Sequence, residues 1–205
     1  MVAGLAVGAA MSGGNTLSSP FTSTAEVVNH VVAHHNAVRA SAFFTFGSAI
    51  PLAIFTATVY ARQLRLGVRV PGPVIALSGG LIAVTSLLFS AFVTYVESRP
   101  EVGSDHVLVH ALAFLAYVGG GPGYVVGLGL LIAGIAVPAY ILRFVARPVA
   151  IAGLVLAVLA ELSWLCLLIE PLQPLLPIGR FLGGLWLIAA GFLLPVDRQH
   201  ARRDS

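Results

Sequence analysis

The sequence predicts an all-α polytopic membrane protein with five transmembrane helices, and three observations lead to this fold class. Only 9% of the 205 residues are charged and the mean hydropathy is +0.96, whereas soluble domains carry about 25% charged residues. Long apolar runs separated by short polar or proline-rich segments fill most of the chain. The basic residues, all of them arginine, lie mainly in three short segments between or after these runs. A chain so poor in charge cannot cover its surface in water, so its solvent is lipid.

The first helix has a clear start signal and is too long for one membrane crossing. Ser23 and Glu26 fit a capping box, and the next strong helix breaker is Gly67. Residues 24–66 therefore predict one helix of ~65 Å, about twice the ~30 Å hydrocarbon thickness. Only Ala40–Tyr60 is apolar enough to span. The part before it is expected to project beyond the membrane or to bend along its surface.

Four further apolar segments follow. Between the third and fourth runs two arginines interrupt the apolar sequence, and a loop with three prolines precedes the last run. Each run is long enough for a span, which needs about 20 apolar residues. The predicted segments are Val74–Val96, Asp105–Phe144, Ala146–Ile169 and Ile178–Val196.

The third segment contains a run of helix breakers. If its two pieces were separate crossings, the arginines would be scattered over both sides, and residues 105–118 would reach only ~21 Å. The segment is therefore predicted to form one crossing, with residues 105–118 as an outer half-helix or as the projecting end of a bent span. Such a break can line a cavity, as in transporters, or can let another helix approach closely. The predicted break consists of Gly119, Gly120, Gly121, Pro122 and Gly123.

The arginines also predict the orientation. Five crossings place eight of the eleven basic residues on one side, which the positive-inside rule makes cytoplasmic. The N-terminus is then outside, the C-terminus is cytoplasmic, and the protein is expected in the plasma (inner) membrane. Residues 1–23 are predicted to be a disordered tail, residues 24–196 a single transmembrane domain, and residues 197–205 a cytoplasmic tail.

Five of the six histidines fall on the predicted outer side. Glu26, His30 and His34 share one helical stripe about 80° wide. His106 and His110 share a face about 40° wide with Tyr117. An i,i+4 histidine pair on each of two helices can hold a transition metal, with Glu26 or Asp105 completing the site. One histidine from each helix can instead ligate a haem. The alternatives are a hydrogen-bonded structural cluster, or two groups that never meet.

Glu161 is the one acidic residue deep in an apolar run, and a charge at that depth costs about 2.5–3.5 kcal/mol on insertion scales. Its candidate partner is Arg39, at the outer end of the first span, and Tyr117 or His110 can hydrogen-bond it instead. The carboxyl group is then either a proton or substrate site, or half of a buried pair that fixes helix packing.

Composition limits the functions that remain. The net charge of +3 is too small and too scattered for a nucleic-acid surface, and a single cysteine allows no intrachain disulfide. No catalytic nucleophile set stands out, which disfavours an enzyme. Three functions stay open: a membrane protein whose outer histidines bind metal or haem or sense pH; a small proton-coupled transporter or transporter subunit that uses Glu161; and a non-catalytic accessory subunit of a membrane complex. A transporter this small is expected to be a homodimer. The all-arginine composition resembles that of membrane proteins of GC-rich bacteria, a likeness that implies no activity.

Overall fold

A computed structural model describes residue 21 and residues 23–195, and no β-strand occurs among them. The predicted tails 1–23 and 197–205 therefore lie outside the described residues, apart from Phe21 and Ser23. Seven α-helices account for most of the described chain: α1 Thr24–Ala33, α2 His35–Arg65, α3 Gly72–Glu97, α4 His106–Val118, α5 Tyr124–Ile141, α6 Arg147–Leu162 and α7 Leu175–Leu193.

Five helical segments are long and apolar enough to cross a membrane. This confirms the predicted all-α fold with five candidate spans. The observed bounds of the spans differ from the predicted bounds by a few residues. The last span, for example, begins at Leu175 rather than at Ile178. The segments are His35–Arg65, Gly72–Glu97, His106–Ile141, Arg147–Leu167 and Leu175–Leu193.

The first predicted helix is divided at a single residue. Ser23 caps α1 by accepting a hydrogen bond from the Glu26 N–H at 3.4 Å, as its capping box predicts. His34 then leaves the helical conformation, with φ −124° and ψ 32°, and α2 begins at the next residue. The predicted single helix over residues 24–66 is therefore interrupted at His34, which separates a ten-residue helix from the first candidate span.

The predicted break in the third span is wrong in one respect. Gly119–Gly123 do not leave the helix but form a π-helical turn, so that α4, this turn and α5 make one helical segment of 36 residues. Pro122 has no N–H to donate to an α-helical hydrogen bond, and a π-type widening is a known way to absorb such an interruption. His106–Val118 is therefore one end of a continuous third candidate span, so the predicted half-helix is wrong and the alternative prediction, the end of a single long segment, is the one that agrees with the structure.

The described chain divides into two compact units. The first contains the described residues up to Pro51 together with Thr85–Gly121. Within it, α1 packs on α4 through a buried cluster of Val27, Val28, Val31 and Val109. Ser90 of α3 donates a hydrogen bond to the Ala116 carbonyl of α4 at 2.9 Å.

The second unit contains Leu52–Val84 and the described residues from Pro122 onward. Its core is α5, which packs on α6 and α7 and buries side chains on all faces, as a helix without a polar stripe should. A Cβ atom on Gly127 of α5 would lie only 2.5 Å from the backbone nitrogen of Ala83 in α3. Glycine at this point lets the two helix backbones touch, which is the small-residue packing that membrane helices use.

Candidate functional site

Helix α1, which carries His30, contacts helix α4, which carries His106 and His110. The contact is made by valines, because Val27 and Val31 of α1 are buried against Val109 of α4. Burying an aliphatic side chain contributes about 1.5–3 kcal/mol, so this apolar seam determines which faces of the two helices meet. We call α1 and α4 together the histidine helix pair.

One polar contact joins the two helices beside the valine seam. Thr24 Oγ1 lies 3.0 Å from His110 Nδ1, although 86 residues separate them in the sequence. The His110 ring also packs on Phe114, with ring centroids 5.0 Å apart. His110 is thus positioned by both a threonine hydroxyl and an aromatic ring. Sequence reasoning missed Thr24, since its neighbours marked it only as part of a helix start.

The other histidine pair lies at the junction of α1 and α2. The His30 and His34 rings are 5.1 Å apart, centroid to centroid, and both side chains are half-buried. His30 is in the last turn of α1 and His34 is the junction residue itself. Burial lowers the pKa of His30 below its ordinary value of 6.5, and the neighbouring His34 lowers it further.

The predicted metal site is not assembled in the part of the chain that the structure describes. Among those residues, no three His, Cys, Asp or Glu side chains lie close enough together to hold a metal ion. Glu26 and His106 are exposed. The Asp105 carboxylate instead caps α4 by accepting the N–H groups of Val107 and Leu108, each at 3.1 Å. The convergence of His30, His34, His106 and His110 on one ion is therefore not shown among the described residues, and a haem held by one histidine from each helix stays a prediction.

Glu161 lies near the end of α6 in the second unit. Its Oε1 is buried without a hydrogen-bond partner among the described residues. A Cβ on Gly129 of α5 would lie 2.9 Å from this oxygen, so the glycine makes room for the carboxyl group. A partly buried acceptor without a donor is costly, which makes Glu161 a candidate for proton or ligand binding.

The predicted partners of Glu161 belong to the other unit. There, the Arg39 guanidinium donates a hydrogen bond to the Asn36 side-chain carbonyl at 3.3 Å. The Tyr117 ring packs edge-on against Phe21 at 5.1 Å. The pairing of Glu161 with Arg39 or Tyr117 therefore remains a prediction.

Sequence reasoning missed a second buried charge, Arg180 of α7. Its guanidinium carbon lies 5.2 Å from the ring centroid of Tyr124 at the start of α5, the geometry of a cation–π contact. Helices α6 and α7 approach each other beside both buried charges, where a Cβ on Gly179 would lie 3.4 Å from that of Ala160. The criterion that selected Glu161, an acidic residue deep in an apolar run, passes over Arg180, which is basic and lies near the start of its helix, although it is the only charged residue in Leu175–Leu193.

Two polar side chains of α2 connect it to the rest of the second unit. The Gln63 amide donates to the Gly134 carbonyl at 3.0 Å, and Gln63 is 1% exposed. Arg62 donates to the Gly191 carbonyl at 2.8 Å. Both contacts bind backbone oxygens of neighbouring helices, so they stabilise packing rather than form a site.

These features support a class of protein, a multi-pass helical membrane protein with five candidate spans. No family model, no curated protein and no solved structure matches the chain.

Proposed function

We propose that this chain is an integral protein of the plasma membrane whose histidine helix pair senses pH on the outer side. The arginine distribution supports an outside N-terminus and a cytoplasmic C-terminus, because it places most basic residues on the inner side. In this orientation α1 and the first turn of α4 face the exterior. The pH-sensing alternative needs only titratable imidazoles at a structural junction, whereas the metal and haem alternatives need a ligand set.

The observation that carries the proposal is the position of the His30–His34 pair. The two rings are 5.1 Å apart at the only non-helical residue between α1 and the first span. Histidine is the side chain whose charge ordinarily changes between pH 5 and 8. Two imidazolium ions about 5 Å apart repel each other by about 1 kcal/mol at an effective dielectric constant of about 80, and by about 3 kcal/mol at about 20. Protonation therefore strains the junction.

Other groups around the junction determine how α1 responds. The carbonyl end of α1 favours a cation in its last turn, which partly offsets the repulsion. The titratable side chains at the start of α4 are Asp105, His106 and His110. Asp105 accepts hydrogen bonds from N-terminal amides of α4, and His110 contacts the Thr24 hydroxyl. Protonated His110 can still donate to the threonine hydroxyl, so α1 stays attached to α4 while its junction with α2 changes.

The test is a distance measurement across the junction. Spin labels at Ala25→Cys in α1 and Ile50→Cys in α2, in a Cys166→Ala background, report the α1–α2 geometry by pulsed electron resonance in nanodiscs. The distance distribution should shift between about pH 7.5 and about pH 5. The shift should disappear in the His30→Gln/His34→Gln double variant and persist in His35→Gln, the adjacent exposed control. An equal shift in the double variant would refute the proposal.

The second candidate is a small proton-coupled transporter that uses Glu161. The buried Oε1 beside Gly129 supports it, since an isolated carboxyl group in an apolar span is a typical proton carrier. Reconstituted vesicles with an internal pH dye would report proton flux. Wild-type flux that Glu161→Gln abolishes would favour this candidate, and absence of flux in the wild type would exclude it.

If the protein is a transporter, it is expected to act as a homodimer. If it is a pH sensor, it is expected to be an accessory subunit that regulates a larger membrane complex. Cysteine crosslinking in native membranes separates the two. A crosslinked species of twice the monomer mass supports the dimer, and crosslinks only to other proteins support the accessory role.

A further inference from the structure

A groove on the first unit lies between the start of α2 and the end of α3. It has a volume of about 810 Å³, within the range of about 300–1,000 Å³ that is usual for small-molecule sites. Among the described residues, its lining contains no histidine. Its two ends differ sharply in chemistry.

One end of the groove is polar and positively charged. Arg39 is the only charged side chain in the lining, and Asn36 lies one helical turn before it. The Asn36 side-chain carbonyl accepts a hydrogen bond from Arg39 and so orients the exposed guanidinium. A guanidinium presents a planar fork of N–H donors that matches phosphate or carboxylate oxygens.

The rest of the groove is aromatic. Phe43 and Phe46 of α2 line it with Phe92 and Tyr95 of α3, and the Phe46 and Phe92 rings are 5.7 Å apart. These rings are largely exposed, Phe43 to 72%. Alanines at positions 40, 42 and 91 also line the groove, and their small side chains take up little of its volume. Arg39 and Phe46 are seven positions apart in the sequence, so the groove extends about 10 Å along α2.

We infer that this groove binds a phospholipid with an anionic headgroup, whose phosphate contacts Arg39 and whose acyl chain lies against Phe43, Phe46 and Phe92. Charge complementarity selects this occupant, because one cation stands at the end of an otherwise apolar channel. The predicted orientation agrees, since Arg39 is four residues from the start of a candidate span and Tyr95 is two from the end of another, which is the depth where headgroups lie.

Native mass spectrometry of the delipidated full-length protein tests the inference. The protein is titrated with phosphatidylglycerol and, separately, with phosphatidylcholine of the same acyl chains. We expect the wild type to bind phosphatidylglycerol about tenfold more tightly, because the choline cation of phosphatidylcholine opposes Arg39, whereas the phosphate is common to both lipids. Arg39→Gln should make the two affinities equal, whereas Arg99→Gln, an arginine outside the groove, should leave the preference intact.

A second variant tests the apolar part. Ala40→Phe places a bulky ring in the groove and should weaken the binding of both lipids. Its melting temperature confirms that the variant folds. The inference is overturned if the wild type shows no preference, if Arg39→Gln and Arg99→Gln behave alike, or if folded Ala40→Phe binds both lipids normally. Loss of the preference in millimolar inorganic phosphate would equally overturn it, because the site would then take a free anion. Should Ala40→Phe not fold, the arginine variants decide.

Discussion

Thr24 and His110 share a hydrogen bond of 3.0 Å across 86 residues of sequence, and this contact holds α1 against α4. The valine seam beside it supplies the apolar burial, and the hydrogen bond selects one arrangement of the two helices. Thr24 belongs to a helix-start pattern and His110 to a histidine pair, so no local pattern in the sequence links the two residues.

Thr24→Val should therefore loosen α1 by about 1 kcal/mol or less, since the bond is exposed and a typical net hydrogen bond contributes about that much. Amide hydrogen exchange in α1 should accelerate accordingly. Thr24→Ser keeps the hydroxyl and should exchange at nearly the wild-type rate. If valine and serine variants exchanged alike, the hydrogen bond would contribute nothing to the contact.

The stability of α1 should also depend on pH through His30. Its folded pKa lies below the ordinary 6.5, so between the two values the unfolded segment binds more protons than the folded one. Stability then rises with pH in this range. The contribution of His30 to the stability of α1 should be complete above about pH 6.5. It should be lost as the pH falls through the pKa that His30 has in the folded protein.

Hydrogen exchange of the α1 amides, corrected for the intrinsic effect of pH, measures this dependence. His30→Gln should flatten the profile because glutamine does not titrate. His35→Gln should leave the slope in place. A slope unchanged by His30→Gln would assign the dependence to other groups.

Gly127 should gain no stability from an added side chain. Alanine is a better helix former than glycine by about 1 kcal/mol, but its Cβ would lie 2.5 Å from the Ala83 backbone nitrogen. Overpacking of this kind costs about 1–3 kcal/mol, so Gly127→Ala should be neutral to destabilising. Gly184→Ala is the matched control, because nothing lies within 4 Å of its Cβ, and it should be neutral or stabilising. Thermal unfolding in detergent compares the two, and equal melting temperatures would contradict close contact between α3 and α5.

The sequence predicted the helices well and their contacts less well. Apolar runs and breakers determine helices locally, which is why the five candidate spans appear near their expected positions. The stripe of Glu26, His30 and His34 was expected to be the functional face of the first helix, yet Val27, Val28 and Val31 make the contact of this helix with α4. Valine burial outweighs what exposed polar groups contribute, so the helix turns its apolar face to its neighbour.

The differences at the candidate sites have similar physical reasons. The glycine run at 119–123 was expected to break the helix, but the backbone kept its hydrogen bonds by widening into a π turn, as an apolar environment favours. The metal prediction required four rings to converge, and periodicity along each helix cannot determine how two helices rotate about their axes. Side-chain approach across helices, such as that of Glu161 to Gly129, is likewise invisible to a one-dimensional pattern.

Arg180 supplies the last prediction. Its guanidinium lies over the Tyr124 ring, and a cation–π contact away from water stabilises by about 2 kcal/mol. Tyr124→Leu removes the ring face and should destabilise the second unit by about that amount, plus the effect of the changed side-chain volume. Tyr124→Phe retains the ring and should unfold close to the wild type. The measurement is the free energy of unfolding in detergent micelles. In the Arg180→Gln background the difference between leucine and phenylalanine should shrink, because the cation is gone. A difference that stays the same in both backgrounds would show that Tyr124 acts through packing alone.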